Sequence, residues 1–159
     1  MTESLEVRVG RALRERGMTL ALAESCTGGL IGHRLTEVPG SSEYFLGGIV
    51  AYSYDAKERL LAVQHRTLYE HGAVSRETAL EMARGARVAL GADIGLSVTG
   101  IAGPTGGLPG KPVGLTWIAL SSRERESAEE HIWDQDRAQN KTLSAEAALQ
   151  MLLKAVERD

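Results

Sequence analysis

Residues 19–29 read Thr-Leu-Ala-Leu-Ala-Glu-Ser-Cys-Thr-Gly-Gly, TLALAESCTGG. The first five form an apolar run of strand length without polar alternation, the pattern of a strand buried on both faces. The next six set three potential nucleophiles, Ser25, Cys26 and Thr27, on a turn that closes with two glycines. Leu30, Ile31, His33 and Leu35 then give a short helical pattern running towards Pro39. A buried strand that hands over to a helix through a glycine pair is the unit from which α/β sheets are built. It admits three readings: a catalytic turn, a phosphate cradle, or a plain strand-to-helix connection.

The rest of the chain repeats the alternation. Leu5, Val9, Ala12 and Leu13 fall at helical spacing before Gly17. FLGGIVAYS (45–53) reads as a strand interrupted by Gly47 and Gly48, which marks a bulge or a close approach by backbone or ligand. DAKERLLAV is helical in pattern, and a short connector leads to Ser75 at the N-cap of RETALEMARGARVAL. Ala79, Met82, Ala83, Ala86 and Leu90 line one face of that helix, and Gly91 ends it. IGLSVTG (94–100) is a strand, GPTGGLPGKP a long loop, and GLTWIALSS (114–122) with AEEHIWD (128–134) a hairpin around a charged turn. Trp117 and Trp133 in those strands are expected to pack the core or a subunit interface. Ala145, Ala148, Leu149, Leu152 and Val156 make the apolar stripe of a last helix. The order predicts one domain over 1–159, a three-layer α/β/α sandwich with a mixed, mostly parallel sheet.

Composition narrows the partners. The 159 residues are 43% hydrophobic and 25% charged with a formal net charge of −3, which gives no electrostatic pull towards nucleic acid or an anionic membrane. No stretch has the length and apolarity of a signal peptide core or a membrane span, so the cytoplasm is the expected location. One cysteine and four histidines at 33, 65, 71 and 131, without ligand spacing, predict no metal site.

In open sheets of this kind ligands bind beyond the carboxyl ends of the strands. ESCTGG, YSYDAK and TGIAGPTGG collect there. Amides at the start of a helix, with glycines that let a ligand approach, suit a phosphate or carboxylate, and the hydroxyls of Ser25 and Thr27 add hydrogen-bonding capacity. GPTGGLPGKP imitates a phosphate-binding loop, but Thr105 stands where its first glycine belongs, Pro112 replaces the Ser/Thr, and a strand follows instead of a helix. No GxGxxG follows the first strand. Lys57 lies a few residues past the second strand, where loss of hydration would lower its pKa and make it a general base. Paired with Ser25 it would form a Ser-Lys dyad, since no His and Asp set is placed to complete a triad. Cys26 reads as a small buried residue, because neighbouring side chains on a turn diverge and only one of Ser25 and Cys26 faces the site.

AESCTGGL, PGSSEYFLGGIVAYSYDAK, HGAVS, SVTGIAGPTGG and KPVGLTWIAL, in this order, strongly resemble the C-terminal domain of the competence/damage-inducible protein CinA. That family includes PncC-type nicotinamide mononucleotide deamidases, and the resemblance runs from about Leu5 to the last helix. It implies the sandwich fold, hydrolysis of the carboxamide of nicotinamide mononucleotide to nicotinic acid mononucleotide and ammonia, no cofactor, and a homo-oligomer. By position it implies Ser25 as nucleophile and Lys57 as base, with Tyr52 near the lysine and Thr99 and Gly100 beside the reacting amide. Thr27, Gly28 and Gly29 would supply either the oxyanion hole or the phosphate site, with Gly48 and Gly103 among the substrate-contacting glycines. Arg137 matches the arginine of a family GDR segment, although this chain reads DQDR, and is the implied phosphate-binding or ion-pairing residue. Tyr54 stands where many relatives have Asn, which leaves no substrate contact to carry over there. Full-length members carry an N-terminal domain, so the resemblance implies a stand-alone deamidase-like chain. The rival class is a non-catalytic nucleotide- or partner-binding module linked to competence or DNA damage.

Overall fold

A computed structural model describes residues 2–158. The elements are α1 (Leu5–Arg16), β1 (Leu20–Glu24), α2 (Leu30–Thr36), a 3-10 turn (Ser41–Glu43), β2 (Phe45–Val50), α3 (Tyr54–Leu61) and α4 (His65–His71). They continue with α5 (Arg76–Leu90), β3 (Ile94–Gly100), β4 (Leu115–Ser121), β5 (Glu126–Ile132) and α6 (Arg137–Arg158). The sheet order is β2-β1-β3-β4-β5, with β1 parallel to β2 and to β3, β4 antiparallel to β3, and β5 antiparallel to β4. Four strands therefore point one way and β4 the other.

Strand parity divides the core. Leu20, Leu22, Leu96, Val98 and Ile118 face α1, α2 and α6, in one cluster with Leu13, Ile31, Leu149 and Leu152. Ala21, Ala23 and Ala119 face the other side, against Met82, Ala86, Ala79 and Ala83 of α5. All five residues of β1 are buried, its four apolar residues and Glu24 alike, and the helices on both faces make the fold a three-layer α/β/α sandwich. The alanine-lined side lets α5 lie close: a Cβ on Gly85 would stand 1.9 Å from the Leu61 carbonyl oxygen.

Serine caps set the helix starts, with Ser4, Ser53 and Ser75 accepting from Val7, Ala56 and Thr78 N–H respectively. The bulge expected at Gly47 is present, because the β1–β2 register slips between Leu20↔Phe45 and Ala21↔Gly47. Leu90 of α5 is only partly covered and packs over Gly47 instead of lining the central face. The strand expected to reach residue 53 stops at Val50, and α4 occupies what reads as a connector. Only Thr67 and Leu68 of α4 are buried, too few for a helical period, and Glu81 of α5 holds the segment by accepting from Gln64 N and Thr67 Oγ1. β5 starts two residues earlier than its pattern suggests, since the turn at 122–125 closes tightly with Ser122 N–H donating to Arg125 O at 2.9 Å. Trp133 consequently falls outside the strand, where its Nε1 donates to Ser144 Oγ. Among the described residues no helix is long and apolar enough to cross a membrane.

Gly85→Ala forces α5 away from α3. Its urea midpoint is expected to fall by the equivalent of about 1–3 kcal/mol, the usual effect of overpacking a close contact.

Candidate active site

β1 ends at Glu24, and everything after it is arranged around that side chain. Glu24 is 2% exposed. Its Oε1 accepts from Thr27 Oγ1 (2.6 Å), Gly29 N (3.2 Å) and Ile31 N (3.1 Å), and its Oε2 accepts from Gly32 N (3.0 Å). A carboxylate thus fills the positive end of α2, the place an anionic ligand would take. The bend that brings these donors together needs consecutive positive φ angles, 60° at Gly28 and 106° at Gly29, which glycine adopts without strain.

This arrangement corrects part of the expected cradle. The Thr27 hydroxyl and Gly29 N–H belong to Glu24, and Gly28 N–H donates to Ser25 O at 3.1 Å. Ser25 N–H donates to Val98 O of β3. Among the described residues of this turn the Thr27 N–H is left without a hydrogen-bond partner, and that of Cys26 meets only its own thiol.

Ser25 Oγ is 3.0 Å from Lys57 Nζ. Lys57 is the fourth residue of α3, whose Ser53 cap turns it inward, and it is 1% exposed. Its Nζ also donates to the carbonyls of Ala51 (3.0 Å) and Tyr52 (3.3 Å), the residues just past β2. Nζ has no carboxylate partner among the described residues. Burial lowers its pKa from 10.5 to about 8, against a small opposing effect of Cys26. A neutral amine that gives its two N–H bonds to the two carbonyls turns its lone pair to the Ser25 hydroxyl. Cys26 has the opposite character: burial pushes its thiol up to about 12, and it packs in the core beside Gly100, where a Cβ would lie 3.1 Å from its Sγ.

The remaining expected residues divide. Tyr52 reaches the lysine through its main-chain carbonyl, while its phenol accepts from Arg137 Nη2 at 3.1 Å. Arg137 Nη1 donates to Gly103 O at 2.8 Å, so Gly103 holds the guanidinium by its backbone. Thr99 Oγ1 is buried and donates to Ala73 O, which removes it from the set of free hydroxyls. Gly48 pairs with Leu22, well before the strand ends, and the fold does not bring it to Ser25. Tyr54 packs edge-on against Tyr69. Asn140 was not singled out by the sequence pattern, yet it staples α6 to the loop after β3. Its Nδ2 donates to Ala102 O and Gln135 O, and its Oδ1 accepts from Gln135 N. A polar residue on the inward stripe of α6 is the one signal that marks it. No cluster of three or more His, Cys, Asp or Glu side chains is placed to hold a metal ion among the described residues.

Two measurements follow from these environments. Lys57 binds its proton more weakly folded than unfolded, so the unfolded chain holds the extra proton between about pH 8 and 10.5. The stability of the wild type relative to Lys57→Met is therefore expected to rise by on the order of 3 kcal/mol across that window, measured by chemical denaturation at several pH values. Iodoacetamide at neutral pH is expected to leave Cys26 unmodified in the native protein and to label it in urea, read by mass spectrometry.

Comparison with known proteins agrees with this architecture. The family model described as "CinA C-terminal domain" matches residues 2–156. A CinA-like protein of Salinibacter ruber is 53% identical over 147 residues, which cover 92% of this chain and 36% of that protein. The chain thus spans about a third of the length of such curated relatives. Among solved structures, a competence-damaged protein (CinA) superfamily protein of Klebsiella pneumoniae superposes with a TM-score of 0.94 at 34% identity, covering 98% of this chain and 97% of that one. The competence/damage inducible protein CihA of Agrobacterium tumefaciens gives a TM-score of 0.90 at 40% identity over 99% and 98% of the two chains. With nearly the whole chain matched in sequence and in three dimensions, this protein belongs to the CinA C-terminal domain family.

Proposed function

We propose that this chain hydrolyses the carboxamide of nicotinamide mononucleotide, giving nicotinic acid mononucleotide and ammonia, with Ser25 as nucleophile and Lys57 as its base. The observation that carries the reading is the 3.0 Å contact of Ser25 Oγ with a lysine amine that is buried, lowered to about 8, and without a carboxylate partner. A lysine serving only structure would be expected to have an anionic partner at such depth.

The steps balance on these two residues. Neutral Lys57 takes the Ser25 proton as Oγ bonds to the carboxamide carbon, and the oxyanion that forms is received by the Cys26 and Thr27 N–H groups. The Lys57 ammonium then gives its proton to the leaving nitrogen, the C–N bond breaks, and ammonia departs from an acyl ester on Ser25. Water attacks the ester and yields a proton to Lys57, the C–Oγ bond breaks, and the proton returns to Ser25 as the acid leaves. The Ala51 and Tyr52 carbonyls accept from the amine throughout, so it need not move between the two half-reactions.

Ammonia release from nicotinamide mononucleotide is the test, with and without a chelator. Wild type is expected to turn over in both, Ser25→Ala to fall to background, and Lys57→Met to lose about 10²–10⁴-fold in kcat. Because the base must be neutral, kcat/KM is expected to rise tenfold per pH unit below about 8 and to level off above it. Full activity in Ser25→Ala, or a profile that rises towards acid, would sink the dyad.

A further inference from the structure

Resting on that reading, we propose that Lys141, one turn along α6 from Arg137, is a binding residue for the substrate's phosphomonoester, and that the two cations form the anion clamp of this site. Two places near Ser25 have the chemistry to hold a phosphate. The amino end of α2 is one, but Glu24 already takes its donors, and the buried carboxylate would repel a second anion there.

The other is a depression of about 420 Å³ lined by Leu30, Arg137, Ala138 and Lys141. It lies against the Ser25 turn. Leu30 begins α2, and a Cβ built on Gly28 would stand 3.9 Å from Lys141 Nζ. The charge of Lys141 is near enough to bear on the Cys26 thiol. At positions i and i+4 of one helix the two cations share a face.

Neither cation is neutralised. Arg137 spends two of its five N–H donors, on Gly103 O and the Tyr52 phenol, both uncharged acceptors. Lys141 has no hydrogen-bond or ion-pair partner among the described residues. The nearby Asp136 carboxylate is engaged at the start of α6, where Oδ1 accepts from Gln139 N. The tethered Arg137 offers a fixed planar donor set, and Lys141 adds a point charge, a combination suited to a dianion with three terminal oxygens. Tyr52 links the clamp to the Ser25–Lys57 pair, since its phenol accepts from Arg137 and its carbonyl accepts from Lys57 Nζ.

Calorimetric titration of the whole chain with nicotinamide mononucleotide, nicotinamide riboside and inorganic phosphate distinguishes the clamp from the chemistry. Lys141→Met keeps the aliphatic stem and is expected to weaken the mononucleotide by roughly ten- to a hundredfold, the range for loss of one charged hydrogen bond. The riboside is expected to bind both proteins alike, phosphate to compete with the mononucleotide only in the wild type, and Lys141→Arg to restore affinity. Equal mononucleotide affinity in wild type and Lys141→Met overturns the proposal, as does a wild type that does not distinguish mononucleotide from riboside. Parallel loss of both ligands with an unchanged urea midpoint overturns it too. A wild type that binds the mononucleotide through Lys141 without releasing ammonia keeps the clamp and removes the amidase. One that hydrolyses mononucleotide and riboside equally, before and after Lys141→Met, does the reverse.

Discussion

The burial of Glu24 at the amino end of α2 is the constraint on which the rest of this site depends. Four donors converge on its two oxygens within the eight residues that follow it, and that convergence dictates the path of the chain through Ser25. It requires the two left-handed glycines, turns Ser25 towards α3, and leaves the Thr27 amide without a partner among the described residues. Removing the carboxylate would strand those donors in the core, so the turn and the start of α2 stand or fall together.

Lys57 is the second half of the same design, supplied from the opposite layer. β2 stops at Val50, the carbonyls of Ala51 and Tyr52 turn inward, and the Ser53 cap starts α3 so that its first turn delivers the amine under Ser25. The layer on which it rests is built from alanine, and α5 lies close on that side. A close, dry layer withdraws the ammonium from water, which lowers its pKa. The fold therefore keeps this amine where its charged form is disfavoured, at a cost in stability.

Charge around the pocket is then sorted by depth. The deep carboxylate is consumed by helix amides and the deep amine faces a hydroxyl, while the shallow cations on α6 remain without counter-ions. The loop after β3 takes part by fixing Arg137 through Gly103 and by docking on Asn140.

Much of this was legible in the chain. The unbroken apolar run of β1, the serine caps and the helical stripes mark elements through local periodicity, which depends only on which faces are buried. Ser25 and Lys57 were readable as a pair because strand ends gather on one edge of such a sheet, and motif resemblance pointed to the same residues. What local pattern could not carry was the destination of each hydrogen bond. Glu24 looks like any polar residue after a strand, and only the packed turn reveals that it consumes the donors of Thr27 and Gly29. Thr99 has the composition of a site residue, yet its hydroxyl is claimed by the Ala73 carbonyl 26 positions away in sequence. Gly48 signals a close approach, which proves to be its neighbour Leu22. Lys141 and Asn140 share one helix with no motif to separate them, and the tertiary structure sends one to a buried staple and leaves the other near Gly28 without a partner among the described residues. Sequence determined most of the elements and the Ser25–Lys57 pair, since periodicity and residue chemistry are local properties. The partition of donors and charges was decided by the tertiary structure, because it depends on which distant groups are brought within 3 Å of one another.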